Sequence, residues 1–117
     1  MNLKKRKLIL VISLSILLIF FILITLKKKN DIHIALVCPL SGEYASEGKS
    51  LLNGVRLYID DLNAKGGISG KKIVLDIFDD KNDPATAKAR ALEIAEQDHA
   101  VAVIGHYDSP CSVVGGT

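Results

Sequence analysis

Residues 72–104, KIVLDIFDDKNDPATAKARALEIAEQDHAVAVI, decide the fold. Lys72 to Phe78 is a short β-branched and apolar run that reads as a strand. Asp83-Pro84 has the form of a helix N-cap followed by proline at the first helical position, where a missing N–H costs nothing. Ala87, Ala91, Ile94 and Ala95 then give the helix a narrow face of mostly small residues that can pack closely on a sheet. Val101 to Ile104 reads as a further strand, buried on both faces.

Working outward, IHIALV at residues 32–37 is a second doubly buried strand ending at Cys38-Pro39. Leu51, Val55, Tyr58, Ile59 and Leu62 recur at helical spacing and predict a helix with these residues on its inner face. The glycines of Asn63-Ala64-Lys65-Gly66-Gly67 end it. Ser109-Pro110 repeats the cap-plus-proline pattern, with Ser109 as the expected N-cap of a last helix. The order is β-α-β-α-β-α, which implies parallel strands with right-handed crossovers. The fold class is therefore α/β, a partial doubly wound parallel sheet.

The charge balance divides the chain. Of 15 Lys and Arg residues, seven lie within residues 1–29 (Lys4, Lys5, Arg6, Lys7, Lys27, Lys28 and Lys29). Residues 30–117 keep eight basic side chains and all 13 acids, a balance of −5 that argues against a nucleic-acid partner. Leu8 to Leu26, LILVISLSILLIFFILITL, carries no charge, and as a helix it would cover about 28 Å, the thickness of a bilayer core. No small-residue cleavage site follows, so an uncleaved single-pass signal-anchor is expected. Four basic residues and the α-amino group before the span, against three after it, place residues 30–117 outside the cytoplasm. The expected organisation is a basic flank and anchor over 1–29, with the span at 8–26, then an incomplete lobe over 30–117.

In open parallel sheets ligands bind beyond the carboxyl ends of the strands, here at the loops 39–46, 79–83 and 105–109. Ser109 and the helix start behind it offer a hydroxyl and backbone N–H groups suited to a carboxylate. Tyr107 and Asp108 beside it, with Tyr44 and Glu47 from the first loop, supply an aromatic wall and acids for an ammonium group. No catalytic residues, cofactor or metal are expected. Gly42 to Ser50 ends in GKS like a phosphate-binding loop, but five residues separate its glycines and two of them are acidic. An NTPase is therefore a remote alternative. The Asp79–Asp83 run lacks the glycine and distal glutamate of a calcium loop and is expected to be solvated, and His33, His99 and His106 show no paired ligand spacing.

IALVCPLSGEYASEG, NGVRLYIDDLNAKGGISGKKIVLDIFDDKNDPATA and VAVIGHYDS resemble the N-terminal lobe of the leucine/isoleucine/valine-binding protein family, the type I periplasmic substrate-binding proteins of branched-chain amino acid ABC transporters. The resemblance runs from about Ile32 to Thr117 and rests on Ser41, Gly42 and Gly48, on NAKGGI, on DD…DP and on Gly105-His106. It implies a non-enzymatic, extracytoplasmic amino acid binder that works with a membrane permease. Ligand residues are then Ser41, Gly42, Tyr44, Glu47, Tyr107, Asp108 and Ser109, with Ser109 on the amino acid carboxylate. A cysteine bridge of some members falls at Asn82 and Asp108, so it is absent here. Family members continue into a second lobe, which implies a truncated fragment. The uncleaved anchor also fits a ligand-sensing ectodomain of a membrane receptor.

Overall fold

The computed structural model describes residues 31–116 and, within the apolar N-terminal run, Ile12, Ser13 and Ile16, which are helical. The expected span 8–26 otherwise lies outside the described residues. Among the described residues no helix is long and apolar enough to cross a membrane.

Six elements follow in the expected alternation: β1 (Ile32–Cys38), α1 (Ala45–Ala64), β2 (Ile73–Asp79), α2 (Pro84–Gln97), β3 (Ala100–Ile104) and α3 (Ser109–Gly115). The strands form one parallel sheet in the order β2-β1-β3. Central β1 pairs in register with β2 from Ile32↔Ile73 to Cys38↔Asp79, and with β3 up to Leu36↔Ile104. Its position explains its sequence. Ala35, Leu36, Val37 and Cys38 are fully buried, and alternation sends them to two cores. Ala35 and Val37 pack with Ile94 of α2, together with Phe78 and Ala100. Leu36 and Cys38 pack with Leu52 of α1 among Leu40, Leu51, Val55, Leu75 and Ile77. Burying a side chain such as Leu36 contributes about 2 kcal/mol.

The inner seam of α1 is Gly48, Leu52, Val55, Ile59 and Leu62, rotated from the expected face so that Tyr58 stands 69% exposed. Gly48 sets the rotation. A Cβ there would lie 1.7 Å from the Pro39 carbonyl oxygen, so only glycine lets the first turn sit on the strand end. At the other end, Asn63 donates from Nδ2 to the Ile73 carbonyl and accepts the Ile73 N–H at Oδ1, both at 2.8 Å, closing the start of the outer edge of β2. Helix α2 begins as expected: the Asp83 carboxylate accepts the Thr86 N–H at 2.8 Å and Pro84 follows the cap.

Two expectations need correction. β3 is not buried: Val101 is 72% and Val103 52% exposed, and among the described residues the strand lies at an edge, paired only with β1. Grooves of about 400 and 480 Å³ flank it, one between α2 and α3 and the other against α1. The N-cap of α3 is Asp108, not Ser109. The Asp108 carboxylate accepts the Cys111 N–H at 3.2 Å, which makes Ser109 the first helical residue.

Candidate functional site

The loops after β1, β2 and β3 meet at the carboxyl edge of the sheet, and two adjacent aspartates hold them together. Asp79 reaches the first loop, where its carboxylate accepts the Leu40 N–H at 2.8 Å and the Ser41 hydroxyl at 2.6 Å. It also accepts the Lys81 N–H at 2.9 Å. Asp80 points the other way and meets the His106 Nδ1 of the third loop at 2.7 Å, while its other oxygen accepts the Asn82 N–H at 3.0 Å. The acids expected to be solvated are therefore fasteners, with Asp80 fully buried and only Asp83 left to an exposed helix cap. The signal was available in the Asp-Asp pair placed directly after a strand, but its partners lie far away in sequence.

Electrostatics follow this wiring. Partial burial pulls the Asp79 carboxyl upward, but the Ser41 hydroxyl and the N–H groups of Leu40, Lys81 and Ser41 outweigh it and hold the group below the ordinary carboxylate range. The Cys111 N–H is the main influence keeping Asp108 low against its desolvation, and hydrogen bonds from the Cys111 thiol and the Asn82 side chain and the charge of His106 add to it. Asn82 and Asp108 are thus neighbours. Burial pushes the Cys38 thiol up to about 11 and the Cys111 thiol to about 12, with nearby aspartates adding to both. Both thiols are free and buried.

Of the expected ligand residues, Tyr44 and Tyr107 come together, ring centroids 5.9 Å apart and planes tilted by 41°, the two residues 39% and 42% exposed. Ser109 is exposed at the start of α3, two residues after Tyr107 in the chain. Glu47 is exposed in the first turn of α1. Ser41 has given its hydroxyl hydrogen to Asp79, and Gly42 takes a positive φ of 81° in the same loop. Asp108 is engaged as a cap, so its charge already faces the helix N–H groups that Ser109 was expected to leave open. The third loop approaches β1 so closely that a Cβ on Gly105 would lie 2.2 Å from the Val37 carbonyl oxygen. In the first turns of α1, Gly48 approaches Pro39 while Lys49 and Ser50 are exposed, and the Ser50 hydroxyl donates to the Ser46 carbonyl at 3.0 Å. The glycine of the GKS sequence serves packing there.

Residues 31–116 match the family described as periplasmic binding protein. The chain belongs to that family. It is 46% identical over 77 residues to the leucine-specific-binding protein of Salmonella typhimurium, covering 66% of this chain and 21% of that one. Among solved structures, the branched-chain amino acid transporter substrate-binding protein LivJ of Streptococcus pneumoniae, in complex with isoleucine, superposes with a TM-score of 0.70 at 30% identity. That match covers 74% of this chain and 25% of LivJ. The fatty acid ABC transporter substrate-binding protein of Thermomonospora curvata gives 0.69 at 26% identity, over 74% of this chain and 22% of its own. The chain spans about a fifth of the length of the curated relatives it matches.

Proposed function

We propose that the carboxyl-edge site is one half of an amino acid clamp of the branched-chain transport type, non-enzymatic and extracytoplasmic. The observation that carries this reading is the Tyr44–Tyr107 pair, with the exposed Ser109 two residues on from Tyr107, at the strand ends where this architecture takes its ligands. The Ser109 hydroxyl donates to the ligand carboxylate, the tyrosine rings line its side chain, and Glu47 serves the ammonium group. Gly42 and Ser41 shape the first loop, and Asp108 holds the turn that presents Ser109. The acid at Glu47 favours an α-amino acid over a fatty acid, which has no positive group to meet it.

A single lobe leaves one face of the ligand in water, so the affinity of this chain alone is on the order of millimolar, about −4 kcal/mol. The uncharged run at 8–26 supports a single-pass anchor that keeps the lobe at the outer membrane face, near a transporter permease. The same run supports a second reading, a ligand-sensing ectodomain whose anchor is the link to a signalling partner. Titration of leucine, isoleucine and valine into the chain tests the binding function. Loss of the Ser109 hydroxyl in Ser109→Ala should weaken binding tenfold or more, about 1.5–3 kcal/mol for a hydrogen bond to a charged group. Equal affinity in both forms would remove Ser109 from the site.

A further inference from the structure

Toward the amino-terminal ends of the strands, away from these loops, three side chains from three separate segments converge. His33 of β1 and Asp76 of β2 lie on the sheet face covered by α2, since Asp76 pairs with Ala35, on the same side of β1 as His33. His99 follows α2 and leads into β3, next to Ala100, the partner of His33. His33 Nδ1 is 2.9 Å and His99 Nε2 3.1 Å from one oxygen, Asp76 Oδ2. The three candidate ligand atoms all lie within 4.8 Å of one another, and the two rings meet edge to face with centroids 4.7 Å apart. The sequence gives no hint of this, because the residues are 43 and 23 positions apart.

We propose that His33, Asp76 and His99 form a zinc site. Two imidazoles and a carboxylate are a nitrogen-rich set that suits Zn²⁺, whereas Ca²⁺ and Mg²⁺ want shells of oxygen. Around a tetrahedral ion with bonds of about 2.0–2.2 Å, neighbouring ligand atoms stand roughly 3.3–3.6 Å apart. The two N···O spacings need to open by a few tenths of an ångström, and the two nitrogens, within 4.8 Å of each other, need to close by up to about an ångström, a shift within reach of the exposed His99 ring. Side-chain exposures of 33%, 23% and 40% leave an entry path and room for water in the fourth position. Coordination requires each imidazole to carry its proton on the nitrogen away from the ion. For His99 that nitrogen is Nδ1, already 3.3 Å from the Gln97 carbonyl, which would accept the N–H and fix the ring. The same carbonyl belongs to the C-terminal turn of α2, whose dipole favours a cation. The ion would clip β1, β2 and the entry to β3 together at the end of the sheet remote from the amino acid site.

The test uses the full chain, free of any affinity tag and stripped with chelator. Calorimetry with Zn²⁺ should give one ion per chain, Co²⁺ should give the visible ligand-field bands of a low-coordinate site, and Zn²⁺ should raise the melting temperature. His33→Ala and His99→Asn should each weaken Zn²⁺ binding by at least about tenfold and remove the thermal shift. His99→Asn keeps a hydrogen-bond donor at an exposed position, so its circular dichroism should stay that of the folded chain. Failure of the folded chain to bind Zn²⁺ would overturn the site, as would binding that both variants leave unchanged.

Discussion

The Asp80 carboxylate and the His106 imidazole meet at 2.7 Å with side-chain exposures of 0% and 6%. This contact fastens the loop after β2 to the loop after β3, and Asp79 fastens the same segment to the loop after β1. Presentation of Tyr44, Tyr107 and Ser109 on one edge therefore depends on residues that touch no ligand. Removing one partner of such a buried pair leaves the other without compensation, at a cost of about 3–5 kcal/mol. His106→Ala should lower the unfolding free energy obtained from a urea titration by that much. A change under about 1 kcal/mol would show that the contact does not hold the loop.

Two glycines of α1 should respond to alanine in opposite ways. A Cβ at Gly48 meets the Pro39 carbonyl at 1.7 Å, whereas at Gly54 nothing lies within 4 Å. Gly48→Ala should destabilise by about 1–3 kcal/mol through overpacking, and Gly54→Ala should stabilise by roughly 0.5–1 kcal/mol through helix propensity. Thermal melts of the two variants decide it, and equal effects would contradict the close approach at Pro39.

The Asp79 carboxyl is held below its ordinary range in the folded chain. A depressed folded value means that its stabilising effect is fully present above the unfolded pKa, near 3.9, and is lost as pH falls through the folded value. Asp79→Asn should therefore flatten the acid limb of the stability curve below about pH 4 and lower the plateau above it. Parallel curves for the two proteins would contradict this wiring.

With thiols pushed up to about 11 and 12 and side chains fully buried, Cys38 and Cys111 should be inert near neutrality. A thiol reagent at pH 8 should label neither cysteine in the folded chain and both in denaturant. Rapid labelling of either cysteine in the folded chain would show that it is open.

How far the sequence could be read depended on the range of the interaction. The burial of the second half of β1 was legible because the uninterrupted apolar stretch from Ile34 to Cys38 must sit mid-sheet, and the Asp83-Pro84 cap because capping is local. At Asp108-Ser109-Pro110 two good capping residues stand side by side and proline tolerates either of the next two positions, so local rules did not choose between them. The exposure of β3 depends on what lies beyond an edge, which periodicity does not encode. The Asp79–Ser41, Asp80–His106 and His33–Asp76–His99 contacts join residues at least 23 positions apart, and only the fold brings them together.

The central claim is that an amino acid binds at the strand ends between the first and third loops. Titrating L-leucine into the ¹⁵N-labelled chain and following backbone amides measures this most directly. Saturating shifts centred on Tyr44, Tyr107 and Ser109, with none at Val74 or Leu75 in the first half of β2, are the predicted result. Shifts confined to other surfaces, or none at tens of millimolar ligand, roughly ten times the expected dissociation constant, would contradict it.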